Sequence, residues 1–493
     1  MSGQTTFASV VIASNRGPIS FSYDDAGNLV PSRGAGGVVT ALTGALRDGG
    51  TWIAAAMSDA DRAATAKYPQ GRIPAEDAAY SLRYMDLSPE DYDGYYNYVS
   101  NGMLWFANHY LWDNTTSPVW DDRTEEAWTS YVNVNRAFAR TLAEEAESLP
   151  GPTALLIQDY HLSLVPRMLR DLVPDALVSH FTHTPFSGPT YIRAIPTHMR
   201  RELLTGMLGA DVLGFHSEAW AENFLMSARY IPGTRVELNR YRAFTDGQAT
   251  VARVHPLSVD ATAIRQTAST PEAAEKRRQL QEWRGDSKLI LRVDRFELSK
   301  NILRGFSAYG LFLERHPEWK ERVRFLAILS PSRTELPEYR TYTDQCLEEA
   351  ARVNEEHGTT SWQPIEVRVK DDYVGAVAAY SLYDVLMVNP VIDGLNLVSM
   401  EGPVANRVHG VLVLSRNAGS YYRLGKYAMG INPHDLGEQA DAIHTALTMD
   451  EEEKTARARG LSRLVRSNPP SRWVTQQLRD LEKVKAKRAW YEA

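Results

Sequence analysis

Short apolar runs recur along the chain, separated by longer stretches in which apolar positions return every three or four residues. Such runs occupy residues 10–13, 155–157, 177–181 and 212–215 in the first half, and 289–291, 324–328, 385–388 and 411–414 in the second. A strand that is apolar on both faces is covered on both faces, and helices between successive parallel strands provide that cover. The pattern predicts two doubly wound α/β domains. The break falls near residues 254–257, after which a polar helical stretch over 271–284 leads into the second set. The expected organisation is an N-terminal domain over 1–255, a second over 256–465, and a C-terminal helix over 466–493. In that helix Trp473, Leu478, Leu481 and Val484 form one apolar stripe, expected to pack back on the N-terminal domain.

Length and charge narrow the reading further. A chain of 493 residues exceeds one compact core. A net charge of −7 speaks against a nucleic-acid footprint. No apolar run reaches the roughly 20 residues of a membrane helix, and residues 1–6 are too polar for a signal peptide. A cytoplasmic protein with no membrane or nucleic-acid partner is expected, so the sequon Asn114-Thr115-Thr116 reads as unused. Cys346 is the only cysteine, which excludes an internal disulfide and a thiolate metal cluster.

Ligands of doubly wound domains bind outside the carboxyl ends of the strands, and residues with suitable chemistry follow several runs. Arg295 and Lys300 follow the strand beginning at Leu289, two cations able to meet a diphosphate from one side. After residues 385–388 comes Asp393-Gly394-Leu395-Asn396-Leu397-Val398, opening a helix that carries Glu401. The amides of a helix start bind anions, and acids on either side suit sugar hydroxyls. Together they describe a site for a nucleotide sugar. Arg333 follows residues 324–328 and Arg16 follows 10–13, and guanidinium groups match phosphate oxygens in pairs. Asp159 and His183 stand after two further strands. Taken singly, an arginine is more often a salt-bridge partner and a histidine a satisfied structural residue; the recurrence at strand ends is what argues for function.

The cluster Arg33-Gly34-Ala35-Gly36-Gly37 suits a loop closing over phosphate or sugar, with a plain helix entry as its alternative. It fails as a dinucleotide fingerprint, because Val39 stands where the third small residue belongs and the cluster reads as following a polar loop. That argues against a dehydrogenase. Asp91-Tyr92-Asp93 and Asp59-Ala60-Asp61 match an acid-x-acid metal pattern, but read as polar turns away from strands. No metal and no cofactor are expected.

The blocks Ser14-Asn15-Arg16, Ala35-Gly36-Gly37, Tyr95-Tyr96-Asn97 with Leu104-Trp105, Asp159-Tyr160-His161-Leu162, His183-Thr184-Pro185-Phe186, Leu213-Gly214-Phe215, Arg295 with Ser299-Lys300, and residues 393–401 occur in one order. In this the chain resembles the retaining glycosyltransferases of the trehalose-6-phosphate synthase family, over residues 8–485. The resemblance implies a GT-B fold, two Rossmann-like domains facing across a cleft. It implies glucosyl transfer from GDP- or UDP-glucose to glucose 6-phosphate, giving α,α-trehalose 6-phosphate, with no covalent intermediate. On the resemblance, Arg295 and Lys300 hold the donor diphosphate, Asp393 the donor glucose, Glu401 the ribose, and the amides of Asn396, Leu397 and Val398 the phosphates. Gly36 and Gly37 belong to the closing loop and His183 lies over the donor sugar. Arg16, Tyr96, Trp105 and Arg333 surround the acceptor phosphate, and Asp159 its hydroxyls. Arg295, Lys300, Asp159 and His183 form the expected catalytic set, and a homo-oligomer is left open.

Some positions depart from the family pattern. Many members carry a second tryptophan soon after Trp52, where this chain has Trp52-Ile53-Ala54-Ala55-Ala56; the usual Lys-Gly is Lys300-Asn301, and Ala418-Gly419-Ser420-Tyr421-Tyr422-Arg423 is bulkier than usual. Residues 367–371, where base contacts are expected, differ from the common uridine pattern, so a guanosine donor stands beside uridine. The alternative function is a pseudo-glycosyltransferase coupling a nucleotide-activated cyclitol to an aminocyclitol phosphate. A silent sugar-phosphate sensor is disfavoured because Arg295, Lys300, Asp393 and Glu401 are all present.

Overall fold

The computed structural model describes residues 7–34, 37–46, 49–68, 71–74 and 80–492. The chain divides into two compact units, Met1–Leu257 with Pro470–Ala493, and Ser258–Pro469. In the first unit the strands are β1 (Ser9–Ala13), β2 (Ile19–Tyr23), β3 (Leu29–Arg33), β4 (Gly50–Ala55), β5 (Arg72–Pro74) and β6 (Ser81–Met85). They continue with β7 (Thr153–Gln158), β8 (Leu177–Phe181), β9 (Val212–Phe215), β10 (Arg235–Glu237), β11 (Arg242–Thr245) and β12 (Gln248–Val254). The second unit has β13 (Lys288–Arg295), β14 (Val323–Ser330), β15 (Ile365–Val369), β16 (Val385–Val388), β17 (Val411–Ser415) and β18 (Met429–Ile431).

Each apolar run becomes a strand, and β1, β8, β9, β16 and β17 are buried along their whole length. Helices cover both faces of such strands because no other arrangement removes both rows of side chains from water. The second sheet is parallel throughout, in the order β15-β14-β13-β16-β17-β18. Its strand direction of travel therefore reverses between β13 and β16, the switch point where such sheets open a crevice at their carboxyl ends. The first sheet has the order β10-β11-β12-β9-β8-β7-β1-β4-β6-β5, with antiparallel pairs only at its two margins. Its switch point lies between β1 and β7. The strands β2 and β3 form a separate antiparallel ribbon whose outer residues are largely exposed. The glycine cluster at 34–37 thus follows a strand after all; Pro31, Ser32 and Arg33 are too polar to read as one.

Residues 93–104 hold a feature that no apolar periodicity signals. Asp93–Leu104 is a π-helix, its wider turn marked by the Trp105 amide donating to the Ser100 carbonyl five residues back. The nine positions from Tyr96 to Trp105 make about two turns of such a helix, against about two and a half of an α-helix. Both rings therefore emerge on one side. Among the described residues, no helix is long and apolar enough to cross a membrane.

The last helix, Pro470–Glu492, packs against β8, β9 and the helix Gly37–Ala45 of the first unit. Trp473 is fully buried edge-on to Phe181, at 4.9 Å between ring centres. Gln477 accepts a hydrogen bond from Ser179 at 3.3 Å, and Asp480 pairs with His255 at 2.7 Å and Arg253 at 3.5 Å. The spacing from 473 through 477 to 480 keeps all three on one helical face. Burial alone would raise the Asp480 carboxyl, but His255, Lys483 and Arg253 hold it down at about 2. A depressed carboxylate stabilises the fold above its unfolded value near 4, and that contribution is lost as pH falls through about 4 toward 2. Asp480→Asn is expected to remove about 2 kcal/mol at pH 7 and to flatten the pH dependence of stability between about pH 2 and 4. Urea unfolding at pH 7 and across that range measures both; an unchanged slope contradicts the assignment.

Candidate active site

The second unit gathers charge at the carboxyl ends of β13, β14 and β16. Lys300 lies in the turn after β13, and its Nζ donates to Asp393 Oδ2 at 2.6 Å, with Asp294 Oδ1 at 3.9 Å. Burial would draw the ammonium down, but Asp393 and Asp294 outweigh it and hold Lys300 above its ordinary value. Lys300 is therefore a cation at any working pH. Burial raises the Asp294 carboxyl, opposed by Arg292 at 3.5 Å and by Lys300. Arg292 is itself fully buried and donates to the Lys300 carbonyl at 3.1 Å and to Asn389.

Arg295 is about half exposed and reaches Glu297 Oε1 at 3.2 Å. Arg333, from the loop after β14, donates to the same oxygen. Ser332 Oγ donates to it at 2.7 Å, and Tyr339 donates to Oε2 at 2.9 Å. Glu297 has no exposed side-chain surface. Burial works against its charge, yet Arg295 and Arg333 prevail and hold its carboxyl below the ordinary range.

The helix Val398–Ala405 begins beside Lys300's partner. Asn396 sits in the left-handed region at φ 77°. Its Oδ1 accepts the Ser399 amide at 3.0 Å, and its Nδ2 donates to Asp393 Oδ2 at 3.1 Å. The Met400 and Glu401 amides both donate to the Leu397 carbonyl. Among the described residues the amides of Leu397 and Val398 have no hydrogen-bond partner within the chain. Asp393 is fixed from the β17 side as well, since Gly419 N donates to its carbonyl at 3.0 Å. A side chain at Gly419 would place Cβ 2.0 Å from the Gly394 carbonyl oxygen, so the approach requires glycine. Glu401 accepts from Tyr380 at 3.1 Å, and burial raises its carboxyl.

In the first unit, the loop after β1 is tied down by Trp52, which donates to Ser14 Oγ at 2.8 Å while Ser14 donates to the Arg16 carbonyl at 2.7 Å. Arg16 is exposed and donates to the Tyr96 hydroxyl at 3.3 Å. Tyr96 stacks on His161 at 5.8 Å, His161 on Tyr160 at 4.0 Å, and Trp105 lies 6.1 Å from Tyr160. The π-helix thus lays Tyr96 and Trp105 along one aromatic platform beside Arg16.

Asp159 occupies the left-handed region at φ 71°, and its Oδ1 accepts the Tyr160 and His183 amides at 3.0 and 3.1 Å. His183 belongs to a directed chain. The Leu257 amide donates to His216 Nδ1 at 3.4 Å, so His216 carries its proton on Nε2. That Nε2–H donates to His183 Nδ1 at 3.3 Å, which leaves the His183 proton on Nε2, donating to Gln158 Oε1 at 3.1 Å. Burial, with His180 second, depresses His183 to about 3. Its imidazole is neutral under working conditions.

The family model of glycosyltransferase family 20 matches residues 8–483. The chain belongs to glycosyltransferase family 20. It is an enzyme of that kind with the GT-B fold. The bifunctional trehalose-6-phosphate synthase/phosphatase of Thermoproteus tenax is 32% identical over 491 residues, covering 97% of this chain and 64% of that protein. The chain thus spans less than two thirds of that relative. The alpha,alpha-trehalose-phosphate synthase (UDP-forming) of Pichia angusta is 30% identical, covering 96% of this chain and 99% of the other. A validamine 7-phosphate valienyltransferase of Streptomyces hygroscopicus is 29% identical over 481 residues, covering 96% of this chain and 94% of the other. Among solved structures, the E. coli protein bound with UDP-2-fluoro glucose gives a TM-score of 0.84 at 28% identity, covering 96% of this chain and 98% of that one. The Burkholderia xenovorans synthase in complex with glucose-6-phosphate gives 0.80 at 28%, covering 96% and 99%.

Against the family 20 pattern, Asn301 now has a physical account. It adopts φ 60°, a conformation that glycine takes freely and asparagine tolerates. Its amide donates to the carbonyls of Asn389 and Pro433 at 2.9 and 2.7 Å, bonds glycine would lack. Ala54, Ala55 and Ala56 are buried, and the amides of Ala55 and Ala56 pair with the Asn15 and Met85 carbonyls. That stretch offers the family 20 enzyme no aromatic wall. Gly36 lies outside the described residues, and Gly37 opens the helix Gly37–Ala45.

The acid-x-acid tripeptides follow β4 and β6 and serve helix starts. Asp61 accepts the Phe21 and Met57 amides, Asp91 gives its amide to the capping Ser88, and Asp93 accepts from Asn97. Sequence reasoning missed Asp294, Glu297, Gln158 and His216. Their signals were a charged pair, Arg292 and Asp294, inside an apolar strand, and an acid between two cations at 295–300. The histidine chain makes a spectroscopic prediction. Imidazole ¹⁵N shifts of His183 are expected to report the neutral Nε2–H form throughout about pH 5–8; an imidazolium signal within that range contradicts the chain.

Proposed function

We propose that this family 20 enzyme transfers glucose from a nucleotide-glucose to glucose 6-phosphate with retention, giving α,α-trehalose 6-phosphate. The observation that carries the proposal is the Lys300–Asp393 pair at 2.6 Å beside the amides of Leu397 and Val398. A departing nucleoside diphosphate gains charge as the glycosidic bond breaks. A permanent cation and a helix start fixed next to it stabilise that charge more in the transition state than in the ground state. Asp393 then serves donor glucose hydroxyls, with Asn396 holding its carboxylate in place, and Glu401 serves the ribose. Arg295 takes the outer diphosphate oxygens.

Arg333 and Arg16 are assigned to the acceptor phosphate, Tyr96 and Trp105 to its surroundings, and Asp159 to acceptor hydroxyls. Guanidinium groups match phosphate oxygens in charge-assisted pairs that plain glucose cannot form, and this favours a phosphorylated acceptor. His183, neutral and held by His216 at Nδ1 and Gln158 at Nε2, is assigned to lie over the donor sugar with no part as an acid. Retention is assigned to reaction on one face, with the leaving diphosphate taking the acceptor proton. The charge is carried by side chains and amides, so no resident metal is invoked. The UDP-forming names of relatives support a uridine donor, and residues 367–371 keep guanosine in the test.

Incubation with UDP-glucose and GDP-glucose in parallel, each with glucose 6-phosphate, tests this reading by product mass. A disaccharide phosphate with at least one donor is expected; none with either overturns it. An aminocyclitol phosphate as the only productive acceptor would favour the valienyltransferase-like reaction instead.

Two variants separate the assigned roles in steady-state kinetics. Lys300→Ala is expected to lower kcat about 100-fold or more. Arg333→Ala is expected to raise the KM for glucose 6-phosphate about 10-fold or more while leaving the donor KM nearly unchanged. Equal effects of both on acceptor KM alone contradict the assignment.

A further inference from the structure

Arg295 and Arg333 come from different loops, after β13 and after β14, and have been assigned to different substrates. They nonetheless share one atom. Oε1 of Glu297 receives Nη1 of Arg295 at 3.2 Å, Nη1 of Arg333, and Ser332 Oγ at 2.7 Å. Oε2 receives the Tyr339 hydroxyl at 2.9 Å. The carboxylate has no exposed surface, so water does not compete for these oxygens.

Arg333 also adopts φ 43°, a left-handed backbone that a side chain as large as arginine seldom takes. Its guanidinium lies 5.5 Å from the centre of the Tyr339 ring, and Nη1 is within 3.2 Å of the Tyr339 hydroxyl. The strained loop is thus pinned through Glu297 and the tyrosine that Glu297 engages. Glu297 pairs with both guanidinium groups through one oxygen.

We infer that Glu297 is a positioning residue that couples donor binding to acceptor binding, by transferring its hold from Arg295 to Arg333 when a diphosphate arrives. The inference rests on the proposed roles of Arg295 at the donor diphosphate and Arg333 at the acceptor phosphate. Two cations divide the negative charge of one oxygen. A diphosphate draws Arg295 outward, the share of Oε1 available to Arg333 rises, and the loop after β14 is fixed in the geometry that receives a phosphate. The donor therefore prepares the acceptor site through a single carboxylate, and a bound nucleoside diphosphate tightens the sugar phosphate in spite of the repulsion between the two anions.

Calorimetric titration of glucose 6-phosphate, with and without saturating UDP or GDP, measures the coupling directly. In the wild type the nucleotide is expected to tighten the sugar phosphate about 5-fold or more. In Glu297→Gln, which keeps the shape and removes the charge, that factor is expected to fall to about 1, and by reciprocity the sugar phosphate no longer tightens the nucleotide either. A role confined to stability would lower the melting temperature and leave the coupling factor as it was. If Glu297→Gln does not fold, Ser332→Ala combined with Tyr339→Phe keeps the carboxylate and loosens its hold, and the coupling factor is expected to fall at least by half. A wild-type factor of about 1, or a variant that couples like the wild type, overturns the inference. Absence of trehalose phosphate synthesis by the wild type would overturn the underlying functional reading, a separate outcome.

Discussion

Like charges gathered at one edge of a sheet repel, and they stay there only if opposite charge is built in between them. Arg292, Lys300, Arg295 and Arg333 all stand at the carboxyl ends of β13 and β14, close enough to disturb one another. Asp294, Asp393 and Glu297 are interleaved with them, each with little exposed surface. A buried carboxylate without its cation, or the reverse, would be strongly destabilising, because neither water nor another charge is at hand to replace the partner. The side chains of the site therefore form a near-neutral lattice of ion pairs that a phosphorylated ligand can enter by exchange, one anion for another. The left-handed backbones at Arg333 and Asn396 fit this picture. Strain of that sort persists where surrounding contacts over-determine the geometry.

The first unit solves a different problem with little charge. Its platform of Tyr96, His161, Tyr160 and Trp105 presents ring faces and hydroxyls, with Arg16 as the exposed cation. The histidine chain from Leu257 through His216 to His183 orders tautomers by hydrogen bonds alone. Burial keeps the His183 ring neutral, so the group assigned to lie over the donor sugar introduces no cation that would titrate near neutrality. Trp473 of the last helix lies 5.5 Å from His183.

The strands of both sheets were legible because parallel strands buried on two faces must be apolar throughout, as residues 177–181, 212–215 and 385–388 are. The strand-end residues were legible for the same reason: once the strands were placed, Arg295, Lys300, Asp393, Arg16 and Asp159 stood where ligands bind in such sheets. Three things were hidden. The π-helix leaves no periodic trace, so nothing in residues 93–105 shows that Tyr96 and Trp105 share a face. Glu297 looks like an ordinary acid beside two cations, and only the fold brings Arg333, 36 residues on, to the same oxygen. His216 is likewise distant in sequence from His183, and its role lies in which nitrogen it leaves protonated. Long-range partners of a site residue are set by sheet order, which short-range pattern does not encode.

The account is tested most directly by a crystal structure of the protein with UDP and glucose 6-phosphate bound together. It predicts diphosphate oxygens within hydrogen-bonding distance of Lys300 Nζ and of the Leu397 and Val398 amides, with Arg295 turned from Glu297 toward the same group. A diphosphate bound elsewhere, with the Lys300–Asp393 and Arg295–Glu297 pairs unchanged, would contradict it.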